Sequence, residues 1–302
     1  MEKKYKLTDE TMEYCAHTLH RIEALIDFGD VKKGDKGGWI EQESNLSQEG
    51  DCWIYGRAMV FEDAKVSGDA EISGRAEVYG KAEISGEASI TGKSIIYGNA
   101  KVFGKAAIFG KAQILGSAII YGESEISESA KIFGDAKIYE NARVDDKSVI
   151  TGHSEIFGNA VISGRSRIDD DAKISGNAEI FGNASIFEKA EVYENAIVND
   201  KACVFGNSKI SGKAVITGNA EIKGDAVIKS INDYIVFKNF WSSGRYFTYI
   251  RSIKMWKVGC FFGSGEELIK KAYKDSEISG KNYERFVRFV EGLEKELEND
   301  LN

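Results

Sequence analysis

Proline is absent from all 302 residues. Proline gives no backbone N–H to a sheet, so a chain without it can use every amide as a ladder donor. Histidine is scarce, at three residues, which leaves little material for a Ser-His-Asp triad or an imidazole-rich metal site. The four cysteines, Cys15, Cys52, Cys203 and Cys260, are scattered and make no disulfide framework. No apolar run is long enough to span a membrane. Met1-Glu2-Lys3-Lys4-Tyr5-Lys6 lacks the apolar core of a signal peptide. A cytoplasmic protein with no membrane partner is the expectation. Positive charge is also in deficit, the net charge being -8, which argues against a DNA or RNA backbone as partner. A small anionic ligand needs only a local basic pocket and stays open.

What is present is a repeat. Twenty-eight consecutive six-residue units run from Ala64 to Ala226 without insertion or deletion. Each opens with Ala or Ser, and each third position is Ile or Val, as in Ala70-Glu71-Ile72-Ser73-Gly74-Arg75. Strict self-similarity at a short period marks a solenoid. Apolar residues at positions one and three have the period of a strand. Position five is usually Gly, which takes positive φ without penalty and makes a turn. Asp or Glu replaces it at sites such as Asp146, Asp170 and Glu188. Three units make a triangular coil of eighteen residues, stacked at about 4.8 Å per coil. Extending the register from Cys52 to Ile231 gives thirty units, hence ten coils, in a rod roughly 50 Å long. An unbroken solenoid has no loop on which to hang an active site.

Sorting position four by face separates the outward chemistry. One face reads Phe61, Tyr79, Tyr97, Leu115, Phe133, Thr151, Asp169, Phe187, Phe205, Lys223. The next includes Phe103, Tyr121, Tyr139, Phe157 and Tyr193, and the third is mainly polar. Exposed aromatic stripes point to a homotrimer packed along the edge between the two aromatic faces. Ring stacking between strands of one chain is the other explanation. A ladder of Lys65, Glu83, Lys101, then Lys137, Glu155, Lys173, Glu191, Lys209 alternates in sign, so neighbouring coils are expected to pair these charges.

An open stack exposes strand edges and needs caps. Residues 1–51 read as an N-terminal cap, 52–231 as the rod and 232–302 as a C-terminal α+β module. In the cap, Thr18-Leu19-His20-Arg21-Ile22 reads as a strand, while Asp27 to Lys32 and Gly37 to Glu41 read as turns feeding short strands. In the C-terminal module, strands are expected over Asp233 to Phe240, Arg245 to Ile253 and Lys257 to Phe262. Ser264-Gly265-Glu266-Glu267 has the form of a capping box opening a helix to about Tyr273. A last helix from about Tyr283 carries Phe286, Val287, Val290, Leu293 and Leu297 on one stripe.

The hexapeptide resembles the left-handed parallel β-helix of LpxA-like trimeric proteins, and the resemblance implies left-handed coils in an all-β solenoid. The order of the first fifty residues is similar to bacterial and prophage-borne β-helix proteins, many of them labelled transferases. Gly244-Arg245, Thr248 and Val258-Gly259-Cys260-Phe261-Phe262-Gly263 resemble a terminal module of phage proteins, which implies the cytoplasm of an infected or lysogenic bacterium. LpxA-like acyltransferases use a histidine base at a cleft between subunits. The one histidine of this solenoid, His153, sits at a turn with no inserted loop beside it.

Three other groups carry candidate chemistry. Cys15 and His17 would share a strand face with His20 opposite, and no fourth metal ligand is evident. Asp145, Asp146, Asp169, Asp170 and Asp171 could meet a cation or simply be solvated turns. The sharpest cluster is Lys238, Arg245, Thr248, Arg251, Lys254 and Lys257, interleaved with Tyr246, Phe247, Tyr249 and Trp256. Cations hold phosphate and aromatics stack on a base. Arg245, Thr248, Arg251, Lys254, Trp256 and Lys257 are therefore candidate ligand contacts. The leading expectation is a non-enzymatic trimer, without cofactor or metal, that sequesters a nucleotide-like anion such as a cyclic or signalling nucleotide of host defence. A hexapeptide acyltransferase and a structural rod are the alternatives. The candidate trimer surface is Phe61, Tyr79, Tyr97, Phe103, Tyr121, Phe133, Tyr139, Phe157, Phe187, Tyr193 and Phe205.

Overall fold

A computed structural model describes residues 3–300. The repeat folds as a parallel β-solenoid of about eleven turns, with a small N-terminal region and a C-terminal module of sheet and helices. Each unit contributes a two-residue strand from positions two and three, as in Glu71–Ile72 and Glu77–Val78. Equivalent strands eighteen residues apart pair in parallel, for example Ile95↔Gln113 and Ile96↔Ile114. Three sheets result, one per face, with ten rod strands in each of two and more in the third, where the N-terminal strands join.

The core follows from the alternation. Position-three Ile and Val and position-one Ala are sealed from solvent along the rod, Ile72, Val78, Ile156 and Ala160 among them. The serines at position one are equally buried, and each satisfies its hydroxyl locally. Ser94 donates to Thr91 O at 2.6 Å, Ser148 to Asp145 O at 2.5 Å, and Ser208 to Phe205 O at 2.6 Å. That is why Ala and Ser interchange there without leaving a buried polar atom unpaired.

The turn at position five is where stacking is tightest. Gly80 has φ 73°, and a Cβ there would lie 2.8 Å from the amide nitrogen of Gly98 on the next coil. Acids nonetheless occupy this left-handed position. Asp146 (φ 58°) accepts from Gly164 N at 2.9 Å, and Asp170 (φ 56°) from Glu188 N at 3.0 Å. Glu140 accepts from Gly158 N at 2.8 Å in the same way. The carboxylate captures the amide that the turn approaches, which offsets the cost of positive φ.

The parallel ladder reaches back to Trp39–Ile40, paired with Met59–Val60, so the first turn lies within the stretch 1–51 read as a cap. Ahead of it, β1 (Tyr5–Tyr14) and β2 (His17–Ala24) form an antiparallel hairpin that docks β2 on β3 (Lys36–Ile40). Lys4 closes the rod floor, its ammonium donating to the carbonyls of Gly50 and Cys52, each at 3.0 Å.

At the far end three side chains cap the three sheets. Thr248 Oγ1 accepts from Glu221 N at 3.0 Å, and Ser252 Oγ accepts from Val227 N at 3.0 Å. The Tyr234 hydroxyl donates to Val215 O at 2.9 Å. Tyr234 and Thr248 belong to a four-stranded antiparallel sheet, Tyr234–Lys238, Tyr246–Ile250, Met255–Val258 and Phe261–Gly263, and Ser252 to the 3-10 turn Arg251–Ile253 between its second and third strands. The sheet packs on α1 (Gly265–Asp275) and α2 (Glu277–Asp300) through Phe247, Trp256, Leu268 and Val287. The third strand expected from sequence is two strands joined at Gly259. The last helix begins six residues earlier than expected, because Gly280 is not a break. It lets the helix lie against the Tyr273 ring, which a Cβ would meet at 2.3 Å. No helix among the described residues is long and apolar enough to cross a membrane.

Candidate functional site

His153 lies at the corner between the two aromatic faces, in a column with one residue per coil. Asp135 stands one coil before it and Asp171 one coil after. Its Nε2 is 3.4 Å from Asp135 Oδ2 and its Nδ1 is 3.7 Å from Asp171 Oδ1. The imidazole is thus bracketed by two carboxylates, with a side chain 71% exposed. One flank of this corner carries stacked rings, while the other presents Thr151 and Asp169 at this level. Tyr121 and Tyr139 stack at 4.9 Å between centroids, and Tyr139 and Phe157 at 5.0 Å.

The aromatic ladders do stack within the chain. Phe61, Tyr79 and Tyr97 form one continuous stack, and Phe103 through Phe157 another. Phe187 and Phe205 form a third pair. The ends of the first face are covered by this chain itself. Phe61 is buried under Tyr14 and His17, and Phe205 under Lys223 and Lys257. Those two residues have no surface left for a neighbouring subunit. Tyr79, Tyr97, Tyr121, Phe133, Tyr139, Phe157, Phe187 and Tyr193 stay half-buried, and Phe103 is exposed.

The basic-aromatic cluster of the C-terminal module does not converge on one surface. Thr248 is fully buried and spent on the rod end. Lys257 is buried against the rod, 2.6 Å from Glu221 and over the Phe205 ring. Trp256 is packed in the module core. Arg251 is paired to Glu294 at 3.0 Å. Arg245 is exposed, beside Gly259. Lys254 and the edge of Trp256 line a cleft of about 380 Å³, together with Glu266, Glu291, Glu294 and Lys295. An anion there would meet three carboxylates beside two lysines. Sequence spacing suggested a ligand patch because these residues alternate along one strand pair; the structure spends one side of that alternation on the joint to the rod.

Cys15 is not on a strand. With Ala16 it forms the hairpin turn, at φ 49° and 67°. His17 instead bonds Glu41 through Nδ1 at 3.0 Å and approaches Glu62 at 3.6 Å. The bond to Glu41 raises its pKa above the ordinary imidazole value. His20 Nδ1 faces Thr8 O at 3.3 Å. No cluster with metal-binding composition occurs among the described residues. Among the turn aspartates, Asp145 accepts from Ser127 and from its neighbour's amide, and Asp169 pairs with Arg167 at 2.6 Å. The sign-alternating ladder behaves as expected, with Lys101–Glu83 at 2.9 Å, Lys137–Glu155 at 3.3 Å and Lys209–Glu191 at 3.5 Å.

One site escaped the sequence reading. A groove of about 650 Å³ opens where the N-terminal hairpin meets the rod, lined by Met12, Tyr14, Trp39 and Met59, by Arg21, Arg57 and Arg75, and by one acid, Glu77. A second, of about 430 Å³, continues it along Arg75, Lys93 and Lys111. Sorting position six by corner, as position four was sorted by face, would have found its cations.

No family model matches the chain. A segment of 61 residues is 41% identical to the uncharacterized acetyltransferase YdcK of Escherichia coli (strain K12). The match spans 18% of this chain and 19% of that protein.

Proposed function

We propose that the protein is an acyltransferase of the hexapeptide β-helix type, acting as a trimer with His153 as the proton acceptor. The observation that carries this reading is the 41% identical segment shared with a protein named as an acetyltransferase. The His153 corner fits it chemically. An amine or hydroxyl attacking a thioester carbonyl must shed a proton as the carbon–sulfur bond breaks and the thiol departs, and an imidazole is the usual acceptor. Asp135 and Asp171, on either side along the column, would hold the ring in place. A second subunit seated on the stacked rings of the Phe103–Phe157 flank would shield this otherwise exposed corner from water, which strengthens each of those interactions.

The experiment is thiol release from acetyl-CoA across a panel of amine and hydroxyl acceptors. Turnover should fall at least about 100-fold in His153→Ala, within the usual contribution of a general base. Because His153 is exposed, circular dichroism should be unchanged. Turnover that survives His153→Ala would overturn the assignment of the base. Sequestration of a nucleotide-like anion, the other reading, predicts something different. Denaturing the purified protein would then release a chemically unchanged ligand, visible by mass spectrometry, and no acetyl-CoA would be consumed.

A further inference from the structure

In a chain of net charge -8, position six at one corner of the rod carries cations and no acid, the acids of that corner (Glu128, Asp146, Asp200) standing at position five and beyond the first four coils. Position six at the corner leading onto the Tyr79 face reads Arg57, Arg75, Lys93, Lys111, Ser129, Lys147, Arg165, Asn183, Lys201, Asn219. Elsewhere on the rod, stacked lysines are answered by glutamates one coil away, at 2.9 to 3.5 Å. Arg57, Arg75, Lys93 and Lys111 form no ion pair among the described residues. Four like charges stacked one coil apart, about 4.8 Å per step, repel one another and weaken the stack. An anion bound along the column would remove that cost.

The same four residues edge the N-terminal groove, where four cations stand against one carboxylate, Glu77, which lines both of its parts. Its closed end has a different character. Met12, Tyr14, Trp39 and Met59 pack there around Leu19 and Phe61, and Arg21 lies over the Trp39 ring at 5.7 Å. Trp39 and Tyr14 are only half-buried, so flat apolar surface remains open to the groove. A short cationic rail leading from an aromatic end matches a ligand with phosphates on one part and a flat ring on the other. We propose that this groove binds a nucleoside di- or triphosphate, with its base against Trp39 and Tyr14 and its phosphates on Arg57 and Arg75. The site lies several coils from His153 and on another corner, and it does not depend on the acyl-transfer reading.

Calorimetric titration with ADP, adenosine and inorganic tripolyphosphate tests it. ADP should bind more tightly than either fragment. Arg57→Ala with Arg75→Ala should weaken ADP and tripolyphosphate by at least about tenfold, as expected when charge-assisted bonds are lost. Trp39→Leu should weaken ADP and leave tripolyphosphate unchanged. Lys147→Ala with Arg165→Ala, on the same column beyond the groove, should change neither. All four positions other than Trp39 are exposed turns, and circular dichroism checks that the rod persists. Failure of ADP to bind at millimolar concentration overturns the proposal. So does an equal loss in the Lys147/Arg165 variant, which would mean a long polyanion lying on the whole column.

Discussion

At the scale of the residue, the defects in the repeat are informative. Position five wants glycine, because positive φ penalises a Cβ. Yet Glu62, Glu140, Asp146, Asp170, Glu194 and Asp200 all hold that conformation, and each accepts a hydrogen bond from the equivalent amide one coil on. The exchange is between conformational strain and a charge-assisted bond. Asp170 gives a clean test, since its Oδ2 accepts from Glu188 N at 3.0 Å on an exposed turn. Asp170→Gly loses the bond but relieves the strain, so stability should stay within about 0.5 kcal/mol of the parent. Asp170→Ala loses the bond and keeps the Cβ, and should cost about 1–2 kcal/mol. Urea unfolding of the two variants reads the difference, and equal midpoints would refute the compensation.

At the scale of the element, docking of the first hairpin on the rod rests partly on one charged contact. His17 on β2 bonds Glu41, and Glu41 also accepts from Glu62 N at 2.7 Å on the first full coil. The bond raises the His17 pKa and lowers that of Glu41. A raised histidine pKa gives stability that is complete below the ordinary value, about 6.5, and is lost as pH rises through the raised one. The lowered carboxylate gives stability present above its ordinary value, about 4.3, and lost as pH falls through the lowered one. The pair therefore contributes most between about pH 4.5 and 6.5. Glu41→Gln keeps an acceptor for Glu62 N and removes the charge. The gap in melting temperature between parent and variant should be widest in that window and should shrink toward pH 9. A gap that does not change with pH would show that the contact is not ionic.

The elements also show which parts of the fold a sequence can carry. The rod was legible because each coil meets only its neighbours, so a period of six specifies strand, turn, core and register together. Alternation of Lys101 with Glu83 was legible for the same reason. The ends were not, because there one side chain serves a surface far away in sequence. Ser252 and Tyr234 read as ordinary strand residues and Thr248 as a candidate ligand contact, and only their placement against Val227, Val215 and Glu221 makes them caps. Lys257 has the sequence setting of a ligand contact, and its position 2.6 Å from Glu221 depends on a residue far away in the chain. The hairpin strand Tyr5–Tyr14 went unread because its outward side chains alternate weakly, and the turn at Cys15-Ala16 lacks glycine despite two positive φ angles.

At the scale of the whole molecule, the aromatic ladders link packing to activity. Rings at 4.9 to 5.0 Å, nearly parallel, stabilise stacked strands within one chain. The Phe103–Phe157 stack also leaves an aromatic face, half-buried from Tyr121 to Phe157, on one side of the His153 corner, where a second subunit would sit. The two roles separate in one variant. Tyr121→Ser with Tyr139→Ser removes the middle of a ladder without touching the Ile120 and Ile138 core. If the rings serve only the chain, sedimentation should be unchanged and the melting temperature should drop. If they also seat neighbouring copies, as the proposed function requires, the variant should sediment as a smaller species while keeping its β-sheet spectrum. Thiol release from acetyl-CoA should then fall with it, although His153, Asp135 and Asp171 are untouched. A parent protein that sediments as a monomer at every concentration would remove the enclosure of His153, and the acyl-transfer site with it.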